Sequence, residues 1–310
     1  MSVYLGYRAS DKLLEKLGRV NFEGVWRSDE HPRGEGPDWE TIHLVGQALG
    51  MLSVDLVVGN PKARVKSKFA SFRTWGEAFP AGAFMTDGSE VLAASPEFAL
   101  ALAAADLSDE QLMQMVMRYC GAYSPEAASE DGFVFREPMT TLAMIEALAA
   151  KIKKSVPGKR RLARALRWSA ERSRSPMETN LMLALCLPKT SKGFGLPKPE
   201  LNKRIELEGV AKDIAKKSYC YGDLVWGNYV LEYQGRRHDD TVGADLTRAL
   251  ALESMGYKVD FVAYEQFEDA RQLDLVAKKA ARGMGRWVDT SGWQDVDAVQ
   301  ELIDLLLRPS

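Results

Sequence analysis

The chain has little cysteine and little histidine, no apolar run of membrane length, no internal repeat and almost no net charge. Its three cysteines, Cys120, Cys186 and Cys220, are odd in number and widely spaced. They form neither a disulfide framework nor a paired zinc motif, which fits a reducing cytoplasm. His31 and His43 have no neighbouring cysteine and no ligand spacing, and are read as non-functional. Nothing approaches the roughly 18 consecutive apolar residues of a spanning helix. The start, MSVYLGYRASDKLLEKLG, lacks a basic segment followed by an apolar stretch and a cleavage site, so secretion is not expected. The 41 Lys and Arg against 43 Asp and Glu exclude a uniformly basic surface. What is present is ordinary for a folded chain: 46% hydrophobic and 27% charged residues, and 310 positions, enough for one large domain or two of usual size.

Near-neutrality conceals blocks of opposite sign. Residues 76–150 hold two basic and twelve acidic side chains, whereas residues 151–220 hold eighteen basic and six acidic. The densest part, KIKKSVPGKRRLARALRWSAERSR at 151–174, has Glu171 as its single acid. Two readings stand: a solvated linker helix, or a strip that follows a phosphate backbone and releases its counterions. Arg160, Arg161, Arg164 and Arg167, with Lys216 and Lys217 further on, are the candidates for nucleic-acid contact. The acidic 76–150 segment is a candidate surface for this basic strip or for a protein partner.

The expected fold class is α/β, α+β overall, with a mostly helical α+β domain at 1–150, a basic connector at 151–174 and a second domain at 175–310. A helix is expected from Asp11 to Leu17, then a polar loop, then mixed structure over 41–94. Ser95 followed by Pro96 is a helix start, as is Ser175-Pro176-Met177-Glu178. Further helices are expected at 108–119 and 138–153, and Pro157-Gly158 breaks the pattern. The remainder reads strand, strand, helix, strand, helix.

The stretch SYCYGDLVWGNYVLEYQGRRHDD, residues 218–240, carries the chemistry. Gly227-Asn228 is a two-residue turn signal between runs rich in β-branched and aromatic residues. That loop sets Trp226 opposite Tyr229, Leu224 opposite Leu231 and Asp223 opposite Glu232, on one side and about 5 Å apart. Two charges so placed repel by about 3 kcal/mol at an effective dielectric near 20. A hard divalent ion, Mg2+ or Mn2+, is the natural group between them. Gln234 follows on the same face as Glu232. The bland alternative is a surface hairpin with two solvated acids, with Trp226 and Tyr229 as a cross-strand aromatic pair.

The helix SPMETNLMLALCLP, the strand ending at Asp223, the strand VLEYQGRRH and the helix ADLTRALALESMGYKVDFVAY resemble the very-short-patch-repair-like branch of the PD-(D/E)XK nuclease superfamily. The resemblance implies a restriction-endonuclease-like core, a mixed sheet flanked by helices, that hydrolyses phosphodiester bonds of DNA in repair or defence. Carried over residue by residue, it makes Glu178, Asp223 and Glu232 the metal ligands, and adds His238, Asp245 and Arg248. Gln234 stands where the superfamily signature has a lysine, which can orient or deprotonate the attacking water. Glutamine can hold a water but supplies no charge. Glu178 has a second role open to it, the acid of a capping box with Ser175. Asp245 and Arg248 are equally well placed for a helical ion pair. Residues 72–107, FRTWGEAFPAGAFMTDGSEVLAASPEFALALAAADL, are faintly similar to abortive-infection type IV antitoxins, which are transcriptional regulators. That similarity implies an alternative: a DNA-binding regulator with a degenerate nuclease domain.

Overall fold

The computed structural model describes residues 2–18, 22–32, 36–235, 242–285 and 295–308. The chain is a mixed α+β protein of two compact units, Met1–Arg167 and Trp168–Ser310. No helix among the described residues is long and apolar enough to cross a membrane.

In the first unit, β1 (Val3–Tyr4), α1 (Tyr7–Gly18), β2 (Trp26–Ser28), α2 (Trp39–Leu49), β3 (Val54–Val58), β4 (Ala70–Thr74), β5 (Phe84–Thr86) and β6 (Val91–Ala94) come first. Then follow α3 (Pro96–Ala103), α4 (Asp109–Tyr119), β7 (Tyr123–Pro125), β8 (Phe133–Phe135), α5 (Leu142–Lys151) and α6 (Lys159–Trp168). One sheet has the order β1-β6-β5-β2, while β3 pairs in parallel with β4. All eight residues of α3 are buried, as their composition, PEFALALA, dictates for a helix apolar all round. Ser95 is its N-cap by position, but its hydroxyl makes no capping bond. The start of α1 is capped from a distance: Asp55 on β3 accepts from Arg8 N at 3.0 Å and Ala9 N at 2.7 Å.

Buried charge in this unit is paired. Arg118 meets Glu15 at 2.5 Å and Asp11 at 2.9 Å, Tyr119 donates its hydroxyl to Asp11, and Arg136 reaches the other oxygen of Glu15. Glu97, buried in α3, accepts from Arg27 and from the Thr140 hydroxyl.

The second unit contains α7 (Pro176–Cys186), β9 (Glu200–Glu206), α8 (Val210–Ala215), β10 (Tyr219–Trp226), β11 (Tyr229–Gln234), α9 (Val242–Ser254), β12 (Lys258–Ala263), α10 (Tyr264–Glu268), α11 (Ala270–Gly283) and α12 (Val296–Leu307). Its sheet has the order β12-β11-β10-β9, with β11 and β12 parallel and the other pairs antiparallel. Val225 and Val230 pack with Ala251 and Leu252 of α9 and Ala211 of α8. Tyr229 and Leu231 instead line a small cavity with Leu275 and Val276 of α11. Strand β9 and the short α8 were not expected from the sequence.

Removing Arg118 takes its cation from Asp11 and leaves Glu15 with Arg136 alone. Arg118→Ala is expected to cost about 3–5 kcal/mol of the first unit's stability, read by denaturant unfolding; a loss below about 1 kcal/mol would show that the cluster is not needed for folding.

Candidate functional site

The hairpin β10–β11 has the register its sequence implied: Leu224 pairs with Leu231, Val225 with Val230 and Trp226 with Tyr229. Gly227, with φ 62°, takes the first position of the loop, where a side chain would be strained. Trp226 and Tyr229 are both buried, with ring centroids 6.1 Å apart, and the Trp226 indole donates to Pro197 O. They serve as a packed cross-strand pair.

The regular ladder stops at Leu224 and Leu231, one step short of Asp223 and Glu232. Asp223 Oδ2 accepts from the Tyr233 amide at 2.9 Å, so a side chain replaces a backbone acceptor at this point. The Asp223 and Glu232 carboxyls are near enough for each to influence the other's titration. Burial, then the charge of Asp223, pushes the Glu232 carboxyl well above the ordinary range. Burial likewise raises Asp223, opposed by the Tyr233 amide and by Arg248. Glu232 is 1% exposed, and its Oε1 has no hydrogen-bond donor among the described residues.

Three further elements close around this pair. Arg248 of α9 donates to Glu232 Oε2 at 2.9 Å and to Asp245 Oδ1 at 3.1 Å, so one guanidinium joins two of the carboxylates. Glu178 of α7 does what its capping signature implied, with one difference. Ser175 Oγ accepts from Glu178 N, while the Glu178 carboxylate accepts from Ser175 Oγ and from the amide of Arg174. The same carboxylate accepts from Asn202 Nδ2 at 2.5 Å. Burial and the nearby Asp223 raise its pKa to about 8. Glu178 is therefore both a helix-start acid and a neighbour of the hairpin pair.

Asn202 was not anticipated. It lies in β9, in register with Asp223, and adopts φ 45°. Asparagine tolerates this left-handed conformation better than most residues, and outliers of this kind gather at functional sites. Only the packing of β9 against β10 brings it to Glu178, so no local pattern could have disclosed it.

Gln234 is half-buried two residues beyond Glu232, paired with Ala263 of β12. His238 lies outside the described residues. Among the described residues no three His, Cys, Asp or Glu side chains are grouped so as to hold one metal ion. The physical reason lies in the contacts above: Arg248 occupies Glu232 Oε2, and Glu178 is engaged by Asn202, Arg174 and Ser175. Asp223 and Glu232 are the carboxyls that directly face each other.

The basic candidates divide. Arg161 donates to Ala104 O and Leu107 O and meets Asp109, which Arg164 also pairs with at 3.0 Å. Helix α6 is thus tied within the first unit to the turn between α3 and α4, and Lys153 likewise pairs with Glu77. Part of the acidic 76–150 segment meets the basic 151–174 segment. Gly158, at φ 84°, lets the chain pass the backbone of Ala104, where a Cβ would come within 2.4 Å. Arg160 and Arg167 are exposed on α6, and Lys216 and Lys217 are exposed before β10. His31 lines a cleft of about 560 Å3 in the first unit, and His43 is hydrogen-bonded to Gln47. None of the three cysteines is in a disulfide, and all are buried.

Comparison with family models, curated proteins and solved structures finds no match for this chain.

Because Glu178 titrates at about 8 in the fold against an ordinary 4.5, the folded state keeps a proton that the unfolded chain releases. Its contribution is fully present below about pH 4.5, falls as pH rises, and is gone above about pH 8. Glu178→Gln, a neutral mimic of the protonated acid, is expected to flatten this decline in melting temperature; an unchanged slope would remove Glu178 as its source.

Proposed function

We propose that the second unit is a divalent-cation-dependent phosphodiesterase acting on nucleic acid, specifically an endonuclease of DNA in repair or defence. The observation that carries this reading is the Asp223–Glu232 pair: two facing carboxyls on adjacent strands, with one buried oxygen lacking a donor. Folding gains nothing from such a pair. A divalent cation held by Asp223 and Glu232 would offset their charge, and Glu232 Oε1 is a buried oxygen with no donor among the described residues. Mg2+ suits the donor set, since it commonly takes one or two carboxylates with waters and phosphate oxygens completing its shell; Mn2+ accepts the same ligands. When bound, the ion supplies polarisation of the scissile phosphate and a water of lowered pKa. Asp223 and Glu232 would hold it, with Glu178 behind them.

The chain's own residues do the rest. Arg248 is fixed by Glu232 and Asp245, and a guanidinium so oriented presents its remaining N–H groups to a phosphate oxygen. Gln234 offers an amide to orient a water without charging it. His238 would help to position that water. The exposed cations Arg160, Arg167, Lys216 and Lys217 would contact the nucleic-acid backbone; Arg161 and Arg164 would do so only with what their pairing to Asp109 leaves over. Buried thiols without a disulfide suit a cytoplasmic setting.

A second reading has its own support. Arg248 already neutralises Glu232, and Gln234 replaces the signature lysine, as in a site that has lost catalysis. The protein would then be a DNA-binding regulator or antitoxin-like protein. The surface formed by the acidic 76–150 segment remains a proposed site for a protein partner under either reading.

A titration with Mg2+ and Mn2+ separates these readings. An active nuclease nicks supercoiled DNA with metal and gains thermal stability from it. Asp223→Ala and Glu232→Ala are each expected to reduce cleavage by at least 10²-fold; full activity in both variants would overturn the assignment. Metal-independent retention of a specific duplex, without cleavage, would favour the regulator.

A further inference from the structure

Strand β10 alternates exposed and buried residues as it approaches the carboxyl pair. Tyr219 and Tyr221 face outward, 38% and 39% exposed, whereas Cys220 and Gly222 between them are buried. Beyond Gly222 the alternation breaks, since a Cβ there would meet Val225 and Val230, and Asp223 lies where the strand changes face. The opposed residues of β9 are Glu206, Arg204 and, in register with Asp223, Asn202. The tyrosine face of this two-strand ribbon therefore leads to Asn202 and, through Arg174, to Glu178.

The tyrosines carry cations on their rings. The Arg204 guanidinium lies 4.0 Å from the centroid of Tyr219, and that of Arg174 lies 5.9 Å from Tyr221. The two phenol rings meet edge to face at 5.6 Å. Arg174 also donates its amide to Glu178, so this stack is mechanically continuous with the carboxylates. Part of the charge of Arg204 is balanced by Glu206. Lys216 and Lys217, exposed immediately before the strand, add further positive charge at its distal end.

Aromatic rings partly exposed beside cations, on a strand rather than in the core, present a surface that a flat, anionic ligand can cover. Nucleobases are flat, and their phosphates are anionic. Stacking of successive bases on aromatic rings with arginine nearby is how single-stranded nucleic acid is held without sequence readout. A duplex keeps its base faces against each other and cannot use such rings. We propose that Tyr219 and Tyr221 form a stacking platform for unpaired nucleotides, flanked by Arg174 and Arg204, that brings a single strand to the Glu178 and Asp223 side of the site. The proposal rests on the phosphodiesterase reading for what happens at the end of the strip, but not for the binding itself.

Binding is measured by fluorescence anisotropy in EDTA, with labelled oligo-dT, oligo-U and a DNA duplex of equal length, on the full chain. The protein is expected to bind single strands more tightly than duplex, and the dT and U arms decide between DNA and RNA. Tyr219→Ser combined with Tyr221→Ser, both at exposed positions, is expected to weaken single-strand binding about tenfold or more. The corresponding double Phe variant is expected to restore it, because the ring remains. Cleavage is scored separately in Mg2+, so loss of cleavage and loss of binding report on different claims. Unchanged oligo-dT and oligo-U affinity in the double Ser variant, or an equal loss on duplex, would overturn the platform. Retained binding with no cleavage at any metal concentration would instead overturn the nuclease reading alone.

Discussion

Two carboxyl groups held opposite each other under low exposure set the terms for the second unit. In that environment like charges cannot both ionise at ordinary pH without help, and the help comes from every element around them. Strand β10 leaves the ladder so that the Tyr233 amide can reach Asp223. Helix α9 projects Arg248 to Glu232. Helix α7 begins where Glu178 can be held by three donors, one of them an asparagine twisted out of extended geometry. Replacing such a cluster with apolar residues of similar volume would commonly stabilise a fold. Local rules broken together at one place, each with an apparent local loss, are the mark of a site shaped by something other than stability.

The first unit treats buried charge differently. Arg118, Arg136, Asp11, Glu15 and Tyr119 satisfy one another in a closed network, and Glu97 is answered by Arg27 and Thr140. Each carboxylate oxygen of that network has a donor among the described residues. The same economy extends to α6, whose arginines partly serve as internal ties to carbonyls and to Asp109. A stretch that looks from composition like a nucleic-acid strip is, at Arg161 and Arg164, also structural cement.

Legibility in the sequence followed the range of the interaction. The hairpin register came from a two-residue turn and alternating side chains, both local, and Ser175 and Glu178 announced the start of α7 by spacing alone. Asp245 and Arg248 were visible as neighbours one turn apart. Asp55 capping α1, Arg118 gathering two acids of α1, and Asn202 meeting Glu178 were not visible. Each joins segments far apart in the chain, and nothing near Asn202 marks it as different from any polar residue in a charged strand. Strand β9 itself, KPELNKRIE in context, offers too few apolar residues to advertise a sheet position. The reason for that polarity lies in where it sits.

Among the described strands β9 is one of the two outer members of its sheet. An outer strand displays unpaired amides and carbonyls, an invitation for another chain to add itself by the same hydrogen bonds. The left-handed turn at Asn202 interrupts that row at its middle, and Lys203 and Arg204 place charge beside the interruption. The residue that steadies Glu178 thereby also spoils the template for edge-to-edge aggregation. Returning position 202 to ordinary extended geometry would loosen the carboxylates and, at the same stroke, make the molecule stickier toward its own copies.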